Sequence, residues 1–384
     1  MKFILIETSN DMDAMLDHIT NQPIIAVDTE FQRETTYYPK LALVQIATDS
    51  NVICIDPVAF DAKPALKEIL LNKNIEKVFH ACSQDMEVLY YYLGETPDNI
   101  YDTQIANAFL SDHHQIGYAA LVENELGIQL DKSQTRTNWL QRPLTEKQIQ
   151  YAGDDVLYLY QLHNILDDKL QQAGRKSWFT EECSNLRDNQ NNFQVDVKKL
   201  WRRVKGATKL SQNTLIIVQY IAEWREQLAQ QKDRIRRKIL TDTILIQLAF
   251  DKPETINYLD PIIISRDRSQ YQLNENEKQQ LIEIIQSAQQ APESEWPDNR
   301  FSVLDNQQKA ELKNLQQLVN DKAEELSLSS AIISSRKDLE NLILINSTES
   351  ETGASPIDAK LNIVQGWRLR CIGQQLLDRV ASNK

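Results

Sequence analysis

Cysteine is scarce in this sequence. Four cysteines in 384 residues, Cys54, Cys82, Cys183 and Cys371, stand far apart with no Cys-x-x-Cys pair among them. That pattern excludes a cysteine-based zinc site and a disulfide framework, and suits a reducing compartment. Long apolar runs are missing too. The opening Met1-Lys2-Phe3-Ile4-Leu5-Ile6-Glu7 is too short for a signal peptide. Nothing later approaches the roughly 20 apolar residues of a membrane span, so a cytoplasmic protein with no membrane partner is expected. A positive overall balance is also lacking, since the formal net charge is −13. That total speaks against a nucleic-acid partner, but its distribution does not. Between Lys198 and Lys238, twelve Lys/Arg face three acids (Glu223, Glu226, Asp233), a local +9 that leaves −22 for the rest. A basic segment on an acidic chain is a nucleic-acid signal in its own right.

What is present reads as an ordinary globular protein: 41% hydrophobic, 25% charged, and long enough for two or three domains. Residues 3–6 predict a strand, and Met12, Met15, Leu16 and Ile19 a helix. Pro23-Ile24-Ile25-Ala26-Val27 predicts a short buried strand, followed by a hairpin of Leu41–Ala47 and Val52–Asp56 around the turn Thr48–Asn51. A helix over Pro64–Leu71, a strand at Lys77–His80 and a helix over Ser83–Leu93 ended by Gly94 come next. Strands first, then strands alternating with helices, define an α/β domain around a mixed sheet. Thr145-Glu146-Lys147-Gln148 matches a capping box, and the helix it opens is expected to run past Leu166. The pattern then turns polar, which places a linker at 176–209. Everything after Leu210 has helical period, with a composition break at Ala291–Pro297 and an exposed loop expected at Glu349–Ser355. The division expected is 1–175, 176–209, 210–290 and 291–384.

Chemistry concentrates on acids. Asp28 and Glu30 end the buried strand two residues apart, so both face the same side of an extended chain. Like charges held together there are unfavourable unless a cation lies between them, and a divalent metal is the simplest resolution. Asp85 falls in the first turn of a helix capped by Ser83. Tyr151 and Asp155 are spaced i, i+4 on one face of the capped helix, with Asp154 turned away by about 100°. His80 and His163 read as structural hydrogen bonders, and His113-His114 cannot easily share one ion. Phe31, Tyr37 and Tyr38 could stack on bases. Lys132, Arg136 and Arg142 either touch phosphates or balance local acids.

Asp-x-Glu on a strand, an aspartate at a later helix start, and Tyr-x-x-x-Asp on a third element resemble the tyrosine-type DEDD 3′→5′ exonucleases. The likeness extends to Asp28-Thr29-Glu30-Phe31, Thr36-Tyr37-Tyr38-Pro39, Ile55-Asp56-Pro57, Leu130-Asp131-Lys132-Ser133 and Trp139-Leu140-Gln141-Arg142-Pro143-Leu144-Thr145. Through these residues the chain resembles the ribonuclease D family. The resemblance implies an α/β, ribonuclease H-like mixed-sheet exonuclease domain followed by all-helical HRDC-type domains. It implies two divalent ions, Mg²⁺ or Mn²⁺, since an all-carboxylate set selects hard cations. It also implies roles: Asp28 bridging the ions, Glu30 and Asp155 on one of them, Asp85 serving the other mainly through water, and Tyr151 orienting the attacking water. The implied activity is trimming of RNA 3′ ends, chiefly of precursor tRNA, by a monomer releasing nucleoside 5′-monophosphates. A DNA-directed exonuclease of proofreading or repair type stays open as an alternative. So does a non-catalytic RNA-binding scaffold, although the presence of all five site residues argues against it.

The helical part carries the stripe Leu215, Val218, Ile221, Trp224, Leu228, expected to be core, with Trp224-Arg225 resembling the HRDC module. Lys232, Arg234, Arg236, Arg237 and Lys238 follow; Arg234, Arg236, Arg237 and Lys238 are the candidate RNA contacts, as is Phe31. A weak echo lies 98 residues on, Glu226-Gln227-Leu228 against Glu324-Glu325-Leu326, suggesting a second, divergent helical module with a thin basic cluster of Arg336 and Lys337.

Overall fold

The β-branched run after Pro23 does become a strand, and it lies in the middle of a six-stranded sheet. The computed structural model describes residues 1–130, 137–188, 193, 195–264, 271–297, 304–352 and 361–382. The strands are β1 (Lys2–Ile6), β2 (Ile24–Gln32), β3 (Lys40–Ala47), β4 (Asn51–Ile55), β5 (Glu76–Phe79) and β6 (Ile100–Asp102). They are ordered β1-β4-β3-β2-β5-β6. β3 and β4 form the expected antiparallel hairpin, while β1–β4, β2–β5 and β5–β6 run parallel, so the sheet is mixed. β2 pairs with β5 only over Ile24–Ala26, so Asp28 and Glu30 stand on the part of β2 that outruns its neighbour.

Helices α1 (Ser9–Thr20), α2 (Lys63–Leu70), α3 (Ser83–Leu93), α4 (Thr103–Ala108), α5 (Tyr118–Leu126), α6 (Glu146–Leu157), α7 (Leu159–Gln172) and α8 (Lys176–Asp188) flank the sheet. Two of them correct the sequence reading. The helix opened by Thr145 does not run on past Leu166 but breaks at Tyr158 into α6 and α7. The stretch read as a linker begins with α8, whose Phe179 and Cys183, four residues apart, are buried. Its apolar stripe is too narrow to be legible alone, and tertiary packing completes it. The Trp178 ring stacks on Trp367 at 5.0 Å, and Glu182 accepts from Trp367 Nε1 at 2.8 Å and from Arg368 at 2.5 Å.

The chain gathers into two compact units. One comprises Met1–Gln32, Leu41–Asn189 and Leu304–Lys384; the other comprises Arg33–Lys40 and Gln190–Val303. The first therefore includes the last helices: α14 (Asn306–Leu326), α15 (Ser330–Ile333), α16 (Arg336–Thr352) and a terminal run from Gly366 to Ala381 with a π-helical turn at Leu369–Gly373. α16 covers the beginning of the stretch expected as an exposed loop, because Glu, Ser and Thr do not stop a helix as Pro or Gly would. Residues 353–355 lie outside the described residues.

The second unit is helical: a 3₁₀ helix at Val197–Arg203, then α9 (Gln212–Gln231), α10 (Arg236–Ile239), α11 (Asp242–Asp251), α12 (Ile256–Ile263) and α13 (Glu275–Gln290). Leu215, Val218, Ile221 and Leu228 are in its core, with Trp201, Trp224 and Leu281. The order of α9, α10 and α11 (a long helix, a single turn, another helix) recurs in α14, α15 and α16. Among the described residues no helix is long and apolar enough to cross a membrane.

Candidate active site

β2 places Asp28 and Glu30 on one face, both half-buried, with Thr29 buried on the other. α6 brings Asp155 to the same place. One carboxylate oxygen from each of Asp28, Glu30 and Asp155 lies within 4.8 Å of the other two. α6 is held by the expected capping box, Thr145 and Gln148 exchanging both hydrogen bonds. It packs so closely on β1 that a Cβ at Gly153 would meet the Phe3 ring at 2.0 Å, so only glycine fits there. Tyr151 is packed by Trp139, their ring centres 6.2 Å apart, and its hydroxyl donates to Asp155.

Asp85 does not join that trio. It is buried in the first turn of α3, where the Thr29 hydroxyl donates to its Oδ1. Ser83, expected from the sequence to cap this helix, does not; Cys82 occupies the cap position without a side-chain bond. The turn is instead built by a residue the sequence reading missed, Asp102. Its buried carboxylate accepts from the Ala81 and Cys82 amides at 3.1 and 2.8 Å, and from the Gln104 amide at 2.8 Å. One aspartate thus organises the starts of α3 and α4. Its own place at the end of β6, immediately before a threonine, is the only sequence signal for it.

Crowding dominates the electrostatics. Burial first, then the carboxylates of Asp85, Asp155 and Glu30, hold Asp28 well above the ordinary range. Burial, with Asp155 and Asp85, pushes Glu30 up to about 8. Asp155 is pushed up to about 7 by burial, against the pull of the Tyr151 hydroxyl. Asp85 rises only to about 6, because the hydrogen bonds from Thr29 offset part of its burial. Four acids that resist ionising together, presenting only oxygen donors, fit a hard divalent cation.

The remaining candidates separate cleanly. His80 bonds Thr103 Oγ1 at 2.9 Å and the Ile116 carbonyl at 3.0 Å, and His163 bonds Glu76 at 2.8 Å, so both are structural. Arg142 balances an acid: it forks onto the fully buried Asp56 at 2.5 and 2.7 Å and also donates to the Ala42 carbonyl. Lys132 and Arg136 lie outside the described residues. Phe31 is half-buried at the end of β2. In the second unit Tyr37 is no base-stacking residue, being buried with its hydroxyl on Glu226. Arg236, a candidate RNA contact, forms a fork with the same fully buried Glu226 and is engaged there. Arg234 and Arg237 are exposed, and Lys238 is half-buried.

A mixed sheet that delivers paired carboxylates from a central strand, met by a Tyr-x-x-x-Asp helix, fits the 3′→5′ exonuclease class that the sequence resembles. Comparison with known proteins agrees. A 3′-5′ exonuclease family model matches residues 3–171, and an HRDC domain model matches residues 215–271. Ribonuclease D of Desulfotalea psychrophila is 33% identical over 88% of this chain and 90% of its own. That of Pseudomonas paraeruginosa is 34% identical over 94% and 93%. The crystal structure of Escherichia coli RNase D, an exoribonuclease involved in structured RNA processing, superposes with a TM-score of 0.86 at 28% identity, covering 100% of this chain and 99% of that one. The chain belongs to the ribonuclease D family and is a 3′→5′ exoribonuclease.

Proposed function

We propose that the acidic cluster binds two divalent cations, Mg²⁺ or Mn²⁺, and that the protein matures the 3′ ends of precursor tRNA in the cytoplasm as a monomer. Nucleoside 5′-monophosphates are the products. The observation that carries this reading is the convergence of Asp28, Glu30 and Asp155 within 4.8 Å, with Tyr151 on Asp155. Asp28 would bridge the ions, Glu30 and Asp155 would hold one, and Asp85, tied to Thr29, would reach the other through water. When bound, the cations supply charge neutralisation at the scissile phosphate and a polarised water. The chain's own part is positional. A free phenol titrates near 10, so the hydroxyl of a tyrosine such as Tyr151 is suited to orienting the attacking water rather than to removing its proton. Trp139 fixes the ring that carries that hydroxyl. RNA docking falls to Phe31 beside the acids and to Arg234, Arg237 and Lys238 in the helical unit, with Arg236 supporting the fold around them.

The test is incubation of the purified protein with unprocessed tRNA and with DNA of matched sequence, with and without Mn²⁺. Metal-dependent shortening of the tRNA from its 3′ end, with 5′-mononucleotides released, is expected. Shortening of the DNA alone would favour the proofreading type, and binding without any shortening would favour a scaffold.

A further inference from the structure

α6 and α7 are consecutive, yet no proline or glycine lies at their junction, Val156-Leu157-Tyr158-Leu159. What breaks the helix is a side chain from elsewhere. The Tyr118 hydroxyl donates to the Asp154 carbonyl at 3.1 Å and accepts from the Tyr158 amide at 3.2 Å. In an uninterrupted helix those two backbone groups would bond each other. An oxygen inserted between them holds them roughly 5 Å apart instead of about 3 Å, which opens that side of the turn. The Asp154 carbonyl belongs to the peptide unit that leads into Asp155. The hydroxyl of Tyr118 therefore grips the backbone plane from which the carboxylate of Asp155 is projected.

Tyr118 is itself fixed. It opens α5, and the residue two before it is held by two donors on one carbonyl: His80 Nε2 at 3.0 Å and Gln104 Nε2 at 2.9 Å, both on Ile116. The His80 and Tyr118 rings lie 5.7 Å apart. A path of contacts thus runs from the end of β5, through His80 and Ile116, to Tyr118 and on to the last turn of α6.

We propose that Tyr118 is a positioning residue, its hydroxyl setting the end of α6 so that Asp155 meets Asp28 and Glu30. This rests on the metal-binding reading of those three acids. The test is Tyr118→Phe, which keeps the ring and removes the inserted oxygen. Three quantities are compared with wild type well below either melting temperature: hydrolysis of a short oligoribonucleotide against Mn²⁺ concentration, the Mn²⁺-induced rise in melting temperature, and hydrogen exchange of the Tyr158 amide. Half-saturation by Mn²⁺ should rise about tenfold, as when a ligand loses its outer support, and kcat should fall by a similar factor. KM for the oligonucleotide should stay within about twofold, since binding of the chain is not touched. The exchange of the Tyr158 amide should change, reporting the lost bond directly. A variant with a lower melting temperature but unchanged kcat and Mn²⁺ dependence would reduce Tyr118 to a packing residue and overturn the proposal. Wild type showing no Mn²⁺-induced shift at all would overturn the metal reading first. If Tyr118→Phe does not fold, Gln104→Leu loosens the Ile116 anchor while keeping the hydroxyl. A rise of about threefold in Mn²⁺ half-saturation is expected there, and no change would again refute the idea.

Discussion

Tyr151 differs from phenylalanine by one hydroxyl, and that hydroxyl sits on Asp155. Tyr151→Phe should therefore lower kcat by roughly 10²-fold while leaving RNA and metal affinity nearly unchanged. Single-turnover kinetics on a short oligonucleotide would check it, and weakened binding at normal kcat would make the ring a stacking platform instead. Asp28→Asn should abolish turnover for a different reason, removing the carboxylate that Asp85, Asp155 and Glu30 all crowd. Because it also relieves crowding by Asp85, Asp155 and Glu30, its melting temperature without metal should equal or exceed that of wild type. Arg236 behaves in the opposite way. It is the partner of a fully buried glutamate, so Arg236→Gln should destabilise the protein by about 3 kcal/mol in denaturant titration, because Glu226 loses its counter-charge and keeps only the Tyr37 hydroxyl. A basic residue in a basic run can thus be structural, and sequence alone does not distinguish it from Arg237 next to it.

At the scale of elements, the basic run apart from Arg236 acts as a group. Neutralising Arg234, Arg237 and Lys238 together should weaken binding of structured RNA and lower the log–log salt slope by about two to three. Cleavage of a very short oligonucleotide should be almost unaffected, and equal loss on both substrates would mean that the segment stabilises the fold. The elements that position the acids were legible where periodicity and capping agree: β2 from its β-branched run, the β3–β4 hairpin from its polar turn, the start of α6 from Thr145 and Gln148. Legibility ended where the cause lay far along the chain. The break at Tyr158 is made by Tyr118, forty residues away, and α8 is completed by Trp367, so no local window contains either reason. The turn before Asp85 was misread for the same cause: Ser83 was the nearest plausible cap, while Asp102, twenty residues downstream of Cys82, makes the bonds.

For the whole molecule, the raised carboxylates set a pH dependence. Glu30, Asp155 and Asp85 carry folded values of about 8, 7 and 6, all above their ordinary values near 4. Protonated below about pH 4 in both folded and unfolded states, they then oppose nothing; as pH rises through the folded values, the unfolded state ionises more readily and stability is lost. Without metal, the stability advantage of Glu30→Gln over wild type should accordingly grow between pH 5 and 8, measured by chemical denaturation. Mn²⁺ binding at pH 7 should release protons, visible as a buffer-dependent calorimetric heat. The path of the chain has a consequence of another kind. Arg33–Lys40 leaves the strand that bears Asp28 and Glu30, belongs to the helical unit, and returns to β3. There the Tyr37 hydroxyl is taken by Glu226, and the Tyr38 amide by Asp233 at 3.0 Å. The two units are therefore stitched rather than strung: a protease cut or a stop codon near residue 190 would not release a finished catalytic half, but one whose tyrosine-bearing stitch has lost the helices that receive it. Recombination that swaps whole modules between relatives would have to carry this eight-residue stitch along with the helices it fits.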